Sequence, residues 1–241
     1  MYRLAELLES SKNCVFLSGA GISTFSGIPD FRGSNGLYAK YDANKIFDLE
    51  YFREDPAYFY THARDFIYDL DTKEPNIIHN TLSSLEKKGY VKALITQNID
   101  LLHQKAGSVN VLELHGSPAN HRCLLCNRNY SYDEVCEQLK YNEVPYCSEC
   151  AGLIKPDIIF FGEMLDQDIF TKAVDASSKA DLFVVIGSSL VVQPAASLPV
   201  CSLKSGGKLV IVNNMATPLD EYAHLKYDEL GDVFNYLANQ I

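Results

Sequence analysis

Four of the seven cysteines in this chain form two Cys-x-x-Cys pairs, Cys123 with Cys126 and Cys147 with Cys150. Residues 127–146 separate the pairs, and this spacing is typical of a site in which four thiolates bind one Zn²⁺ ion. Because four thiolates complete a tetrahedral shell, no position stays open for a catalytic water, and we expect a structural zinc. A redox role for either pair is disfavoured, since each pair has a matching partner.

A glycine-rich loop at residues 19–33, GAGISTFSGIPDFRG, follows the apolar run at residues 14–17. A strand that ends in such a loop is typical of pyrophosphate binding, because glycines permit a sharp turn and a close approach to a ligand. The match to the dehydrogenase fingerprint G-x-G-x-x-G is partial, since Thr24 occupies the third glycine position. No acidic residue ends a second strand about 20 residues later. We therefore predict a nucleotide loop of another enzyme class, the alternative being a turn that serves only the fold.

Further side chains with chemical potential follow other predicted strands. His115 stands at a strand end, and a histidine near neutral pH can take a proton from a hydroxyl group. Five polar residues in similar positions are candidates for nucleotide binding: Asn98, Asp100, Ser188, Ser189 and Asn213. The first two could hydrogen-bond a carboxamide and the other three could hold ribose hydroxyls, although such residues are often only helix caps.

Apolar strands alternate with amphipathic helices along most of the chain. The predicted strands are residues 14–17, 91–95, 109–114, 158–163, 182–186 and 209–212. This alternation predicts an α/β fold with a doubly wound, parallel, Rossmann-like sheet. Ligands of such sheets bind at the carboxyl ends of the strands, which is where the polar motifs fall.

Two stretches interrupt the alternation of strands and helices. Residues 34–74 are rich in Tyr, Phe and Asp and read as a helical insertion, and residues 119–154 contain the cysteine pairs. We expect these two stretches to form a smaller domain that includes a four-cysteine zinc module. Residues 1–33, 75–118 and 155–241 then form the Rossmann-like nucleotide-binding domain.

The composition excludes several classes of partner. A formal net charge of −10 argues against direct binding to nucleic acid, which needs a basic surface. No apolar run approaches 18 residues, so we expect no membrane span. The acidic, amphipathic start of the chain is unlike a secretory signal, and thiols kept for metal suggest a cytoplasmic protein. We expect a monomer.

Taken together, the motifs resemble those of the sirtuin family in order and spacing. The matching stretches are GAGISTFSGIPDFRG, TQNIDLLH, LHG, both cysteine pairs, KPDIIFFGE, GSSLVVQPAA and IVN. The resemblance extends over residues 4–237. It implies an NAD-dependent protein-lysine deacetylase that consumes NAD, transfers the acetyl group to ADP-ribose, and releases nicotinamide and 2′-O-acetyl-ADP-ribose. The implied partners are acetyl-lysine proteins or peptides.

The resemblance also implies roles for individual positions. His115 would be the catalytic base, assisted by Asn98 and Asp100. The implied NAD contacts are Ala20, Thr24, Phe31, Arg32, Gln97, Asn98, Ile99, Asp100, His115, Ser188, Ser189, Asn213 and Asp232. The peptide would add as a strand between residues 159–162 and 191–193. The implied substrate contacts are Ile159, Phe161, Gly162 and Val191, and Phe161 would help to line an apolar acyl-lysine tunnel.

Three positions depart from the family pattern. Phe25 is bulkier than the small residue or proline expected in the cofactor loop, and Ser117 replaces a frequent asparagine. The Tyr-x-x-Arg motif of succinyl- and malonyl-specific members is offset, since Arg64 lies four residues after Tyr60. One residue turns a helical side chain by about 100°, so we expect preference for acetyl or other neutral acyl groups. The alternatives are a mono-ADP-ribosyltransferase or a non-catalytic NAD- or ADP-ribose-sensing module.

Overall fold

The computed structural model describes residues 1–33, 36–42 and 45–240. The strands are β1 (Cys14–Ser18), β2 (Val91–Thr96), β3 (Val111–Glu113), β4 (Gly116–Cys123), β5 (Asn129–Ser131), β6 (Ile154–Ile158), β7 (Leu182–Ile186), β8 (Lys208–Val212) and β9 (Leu225–Tyr227). The α-helices are α1 (Tyr2–Ser10), α2 (Leu37–Lys40), α3 (Leu49–Glu54), α4 (Pro56–Ala63), α5 (Ile77–Lys87), α6 (Leu102–Lys105), α7 (Tyr132–Leu139), α8 (Gln167–Lys179), α9 (Leu198–Lys204) and α10 (Leu230–Gln240). Within the described ranges, no helix has the length and apolarity needed to span a membrane.

The large sheet has the order β3-β2-β1-β7-β8-β9, and all neighbouring strands are parallel. Strands β1 and β7 are buried along their whole length. Helices α1, α5 and α10 cover one face of the sheet, and α8 and α9 cover the other. A sheet covered on both faces requires strands that are apolar throughout, which these sequences are. The predicted doubly wound, Rossmann-like fold is confirmed.

The smaller domain combines the helical insertion with a three-stranded antiparallel sheet in the order β5-β4-β6. One apolar cluster joins the two parts, with Phe59 and Tyr60 of α4 packed in the same core as Val135 of α7 and Cys147. The Tyr60 hydroxyl donates a hydrogen bond to the Ile154 carbonyl at 2.6 Å. The insertion and the cysteine module therefore share one interior.

Four strands differ from the sequence expectation, and two of them, β4 and β5, lie in or beside the cysteine module, where no strand was predicted. The strand predicted over residues 158–163 lies instead at β6, which ends at Ile158 and pairs with β4 rather than with the large sheet. Pro156 concealed it, because a proline lacks the N–H of a ladder residue and is tolerated only in an edge strand such as β6. Strand β9 was not predicted, since three half-exposed residues carry too little pattern. Strands β4 and β6 also cross the predicted domain boundaries at 118 and 155.

The sulfur atoms of Cys123, Cys126, Cys147 and Cys150 lie within 4.8 Å of one another. The Sγ–Sγ distances are 3.5 Å between Cys123 and Cys150 and 3.6 Å between Cys126 and Cys147. A tetrahedral site with Zn–S bonds of about 2.3 Å places its sulfurs roughly 3.8 Å apart. The four side chains therefore fit one zinc ion, as the spacing predicted.

The local backbone is shaped around these sulfurs. Each Cys-x-x-Cys turn is followed by a non-glycine residue in the left-handed region, Asn127 at φ 60° and Ala151 at φ 57°. A Cβ at Gly152 would lie 2.8 Å from the Cys123 Sγ, so the next position requires glycine. The Tyr130 hydroxyl donates to the Cys147 Sγ at 3.1 Å, and this bond is the largest of several that together lower the pKa of Cys147 to about 6. A stabilised thiolate suits a ligand that must bind zinc deprotonated.

We expect Cys147→Ala to release one zinc equivalent and to lower the free energy of unfolding by several kcal/mol, or about 10 °C in Tm. The reason is that the metal closes a module with a small core of its own. Metal analysis of the purified protein and thermal unfolding measure the two effects. Cys201→Ala, which removes a thiol of α9 outside the cluster, is the matched control and should keep its zinc. A wild-type protein that purifies without zinc would contradict this assignment.

Candidate active site

The strand order of the large sheet reverses between β1 and β7. Ligands of open α/β sheets bind in the crevice beside such a reversal, at the carboxyl ends of the strands. Here the two loops continue the ladder past the strand ends. The Gly19 N–H donates to the Ile186 carbonyl and the Gly21 N–H to the Gly187 carbonyl, both at 2.9 Å.

Contact between these two backbones explains the glycines at the crossing. A Cβ at Gly19 would lie 2.7 Å from the Gly187 oxygen, and one at Gly21 would lie 2.8 Å from the Gly187 Cα. Gly187 itself has φ 59°, and a Cβ there would lie 2.7 Å from the Ile22 nitrogen. The sequence interpretation attributed Gly19 and Gly21 to a close approach of a ligand. The contact that excludes a side chain is instead made with the neighbouring loop.

A cavity of about 680 Å³ opens over the crossing, a volume within the usual range for cofactor sites. Most residues singled out in the sequence line it. These are Ala20, Thr24, Phe31, Arg32, Gln97, Asn98, Ile99, His115, Ile159, Phe161, Gly162, Ser188, Ser189 and Asn213. The fold thus brings together residues as distant in the chain as Ala20 and Asn213, at the sheet edge that the alternating pattern predicts.

Gln97 and Asn98 join the segment after β2 to both loops of the crossing. The Gln97 Nε2 donates to the Ser188 Oγ at 2.8 Å, and the Asn98 Nδ2 donates to the Gly19 carbonyl at 3.2 Å. The Asn98 N–H donates to the Thr96 Oγ1 at 3.0 Å. Both side chains are therefore fixed before any ligand arrives.

Asp100 is not among the lining residues. It is 5% exposed, and its carboxylate accepts hydrogen bonds from the Ser23 Oγ at 2.6 Å and from the Leu102 N–H at 3.0 Å. The first bond connects Asp100 to the 3₁₀ segment Ala20–Ser26, and the second satisfies the first backbone N–H of α6. Asp100 therefore contributes to the site indirectly, by holding the segment Ala20–Ser26, part of which lines the cavity.

His115 lies half-buried at the rim where the two domains meet, just before β4. Its Nδ1 is 2.9 Å from the Gln97 carbonyl oxygen. A carbonyl can only accept, so Nδ1 carries the proton and Nε2 has its lone pair free. Burial lowers the pKa of His115, and the hydrogen bond to Gln97 opposes this effect. The imidazole is therefore neutral at pH 7 and able to accept a proton.

The segment after β6 connects His115 to the helical insertion. The Ile159 N–H donates to the His115 carbonyl at 2.8 Å. Phe161 uses both of its backbone groups on the insertion, since its N–H donates to the Phe47 carbonyl and its carbonyl accepts from the Leu49 N–H. Phe161 therefore has no backbone group left for a peptide, and the expectation for residues 159–162 narrows to Gly162 and the Ile159 carbonyl. The φ of 94° at Gly162 is a backbone conformation that favours glycine.

Two further predicted residues lie outside the cavity lining. Val191 is half-exposed beside Val192 and Gln193, which do line the cavity. Asp232 is exposed in the first turn of α10. Asp228 and Glu229 line the cavity in the same region and were missed, because they follow the unpredicted strand β9. Recognition of that strand would have marked them as strand-end polar residues.

Phe25, the bulky residue of the cofactor loop, also borders the cavity. Its ring is about half-exposed, and its Cε1 lies 3.3 Å from where a Cβ at Gly231 would stand. The aromatic ring therefore bridges the loop and the start of α10, a contact that a smaller residue could not make.

Comparison with known proteins places these features in a family. The Sir2 family model matches residues 19–194. The NAD-dependent protein deacetylase of Thermotoga maritima is 50% identical over 228 residues, which cover 95% of this chain and 92% of that protein. The NAD-dependent protein deacylase 2 of Archaeoglobus fulgidus is 41% identical, covering 99% of this chain and 95% of that protein.

Solved structures agree in fold over nearly the whole chain. A Sir2 structure with a p53 peptide and NAD⁺ has a TM-score of 0.92 at 46% identity, covering 99% of this chain and 96% of that chain. A Sir2 structure with a propionylated peptide has a TM-score of 0.90 at 45% identity, with the same coverage of both chains. On the family match, the identities and the shared fold together, this protein belongs to the Sir2 family, the sirtuins.

Proposed function

We propose that the protein is an NAD-dependent protein-lysine deacetylase in which His115 is the general base. It transfers the acetyl group from lysine to ADP-ribose, with release of nicotinamide and 2′-O-acetyl-ADP-ribose. One observation carries the assignment of the base: His115 borders the cavity over the strand reversal, and its Nδ1 is held 2.9 Å from the Gln97 carbonyl, which leaves Nε2 to accept a proton. Bound NAD would supply an electrophilic ribose carbon and a leaving nicotinamide.

The cavity offers suitable partners for each part of the cofactor. We assign Gln97, Asn98 and Ile99 to the nicotinamide ribose and carboxamide, and Ser188, Ser189 and Asn213 to the adenosine half. Ala20, Thr24, Phe31 and Arg32 would line the channel between them. The donors and acceptors already held in place there, such as the Asn98 amide, suit a polar ligand with many hydroxyl groups. Asp228 and Glu229 replace Asp232 as acidic candidates at the adenosine end.

His115 would accept a proton from a ribose hydroxyl through Nε2, since Nδ1–H is committed to the Gln97 carbonyl. That bond fixes the tautomer and the plane of the ring. Asn98 would hold the ribose or a water beside it. Asp100 acts in this scheme through Ser23 and the cofactor loop, because its carboxylate is buried away from the cavity.

The substrate would enter as an extended peptide between Gly162 and residues 191–193. Added strands of this kind are held by main-chain hydrogen bonds, so sequence selectivity should be modest. Phe160 and Phe161 both border the cavity, where apolar rings suit the methylene stem of an acyl-lysine. We place the reaction in the cytoplasm, because cysteines that bind metal instead of forming disulfides are typical of a reducing compartment.

We expect His115→Ala to lower deacetylation of an acetyl-lysine peptide by at least about 100-fold, the usual loss on removal of a general base. Mass spectrometry of the peptide, nicotinamide and acetyl-ADP-ribose, with and without NAD, measures each product. His224→Ala, which removes an exposed histidine before β9, is the control and should retain activity. NAD consumption with an unchanged peptide would favour the ADP-ribosyltransferase alternative. No turnover by the zinc-loaded wild type would favour a sensing module.

The pH profile tests the protonation state of the base. Because burial lowers the pKa of His115 below the ordinary value of 6.5, the neutral form persists as the pH falls to that value. The acid limb of kcat/KM should therefore have its midpoint below pH 6.5, with about a tenfold loss for each further pH unit. Thermal unfolding at each pH controls for loss of the fold. A midpoint above pH 7 would contradict the assignment of a buried neutral base.

Acyl selectivity follows from the positions of Tyr60 and Arg64. The Tyr60 side chain is fully buried with its hydroxyl on Ile154, and the Arg64 guanidinium donates to the carbonyls of Leu139 and Asn142. Neither is directed to an acyl carboxylate. We expect succinyl-lysine peptide to react at least tenfold more slowly than acetyl-lysine peptide, since an unpaired buried carboxylate costs more than about 1.4 kcal/mol. Butyryl-lysine peptide, of similar length but neutral, separates size from charge; equal rates for succinyl and acetyl would contradict the argument.

A further inference from the structure

A buried ion pair lies at the base of the segment that would receive the peptide. Lys155, in β6, is 5% exposed, and its ammonium group is 2.9 Å from a carboxylate oxygen of Glu163. The same ammonium donates to the carbonyls of Ile158 at 2.7 Å and Pro156 at 3.1 Å. It also stands 4.2 Å from the centroid of the Phe160 ring. All three ammonium protons therefore have acceptors, which a buried lysine requires.

Glu163 closes the same segment from the other end. The carboxylate oxygen that contacts Lys155 also accepts the Phe160 N–H at 2.7 Å, and the Glu163 N–H donates to the Phe160 carbonyl at 3.0 Å. Through their side chains, Lys155 and Glu163 connect the two ends of residues 155–163 to each other and to the backbone of the residues between them. Burial lowers the pKa of Lys155, and Glu163 opposes this effect by stabilising the charged form.

The segment that they hold has contacts on both sides of the cavity. Ile159 is hydrogen-bonded to the His115 carbonyl, and Phe161 to the backbone of Phe47 and Leu49. Phe160 is bonded to Glu163, whereas the N–H and carbonyl of Gly162 are available to a substrate. There is open space beside Gly162, since the nearest atom to a Cβ placed there is 3.8 Å away. The position of Gly162 relative to His115 therefore depends on how residues 155–163 are folded.

We propose that Lys155 and Glu163 are a positioning pair for the acyl-lysine peptide, fixing the backbone of residues 159–162 in the shape onto which the peptide adds. The proposal rests on the deacetylase function proposed above. A buried ion pair contributes little net stability compared with packed apolar side chains, so its expected benefit is a single conformation. Neither side chain reaches substrate in this scheme; both act through the backbone.

Lys155→Met keeps most of the side-chain volume but removes the charge and all three hydrogen bonds. We expect the KM for acetyl-lysine peptide to rise about tenfold, which corresponds to a few backbone bonds lost or misplaced. The KM for NAD should stay within about twofold, because the cofactor loops are bonded directly to each other and are connected to this segment only through His115. Steady-state kinetics with each substrate varied, and circular dichroism to verify folding, measure these quantities.

Glu163→Gln is the second variant, since its amide oxygen can still accept the Phe160 N–H while the charge is lost. Its effect on the peptide KM should be smaller than that of Lys155→Met. In the double variant the two effects should be less than additive, because both remove the same ion pair. Lys226→Met is the matched control. It breaks the Lys226–Asp220 pair at β9, outside the cavity lining, and should leave the peptide KM unchanged.

Folded variants with an unchanged peptide KM would overturn the proposal. A parallel rise of both KM values would also overturn it, since it would indicate a general structural role. Fluorescence anisotropy with a labelled acetyl-lysine peptide in the absence of NAD provides a readout independent of turnover. If the wild type binds the peptide but does not deacetylate it, the proposed reaction fails while the positioning pair is still tested by Kd. If the wild type does not bind the peptide, the positioning role fails as well.

Discussion

The contact between the backbones of Gly21 and Gly187 is the constraint on which the site depends. Parallel strands β1 and β7 end side by side, and their loops must leave the sheet in opposite directions at the reversal of strand order. Before they separate, the two loops are in direct backbone contact at Gly21 and Gly187, and there is no room for a Cβ at either position. The floor of the cavity is therefore main chain, and the hydrogen bonds of Gln97 and Asn98 extend that floor toward His115.

The chemistry at the rim follows from where the two domains join. His115 belongs to neither the large sheet nor the small one, and its ring is oriented by a carbonyl from the large domain. Its own carbonyl holds Ile159, which leads into the segment braced by Lys155 and Glu163. The proposed base and the proposed peptide seat are thus parts of one hydrogen-bonded path. Through this path, the orientation of the His115 ring and the position of residues 159–162 depend on each other.

The smaller domain uses two kinds of stabilisation for two different tasks. Aromatic side chains of the insertion pack around Phe160, so the segment beside the cavity rests on a dense apolar core. The cysteine turns adjoin the same core, and their left-handed residues and required glycine fit a backbone arranged around four sulfur atoms. None of the four cysteines lines the cavity, so a zinc ion held by them would have a structural role, in keeping with a shell of four thiolates that has no open position.

The sequence alone determined the features that depend on local spacing. The cysteine pairs, the alternation of strands with helices, and the placing of His115, Asn98 and the serines at strand ends all follow from patterns a few residues long. Which groups face the cavity depends on the folded chain, because the partners of each group are distant in the sequence. The Asp100 carboxylate is hydrogen-bonded to Ser23, and both backbone groups of Phe161 are bonded to Phe47 and Leu49. Asp228 and Glu229 line the cavity because they follow β9, a strand too short to predict from its sequence. A buried polar group forms hydrogen bonds with the groups that the fold brings within about 3 Å of it. The periodicity of the sequence does not indicate which groups these are.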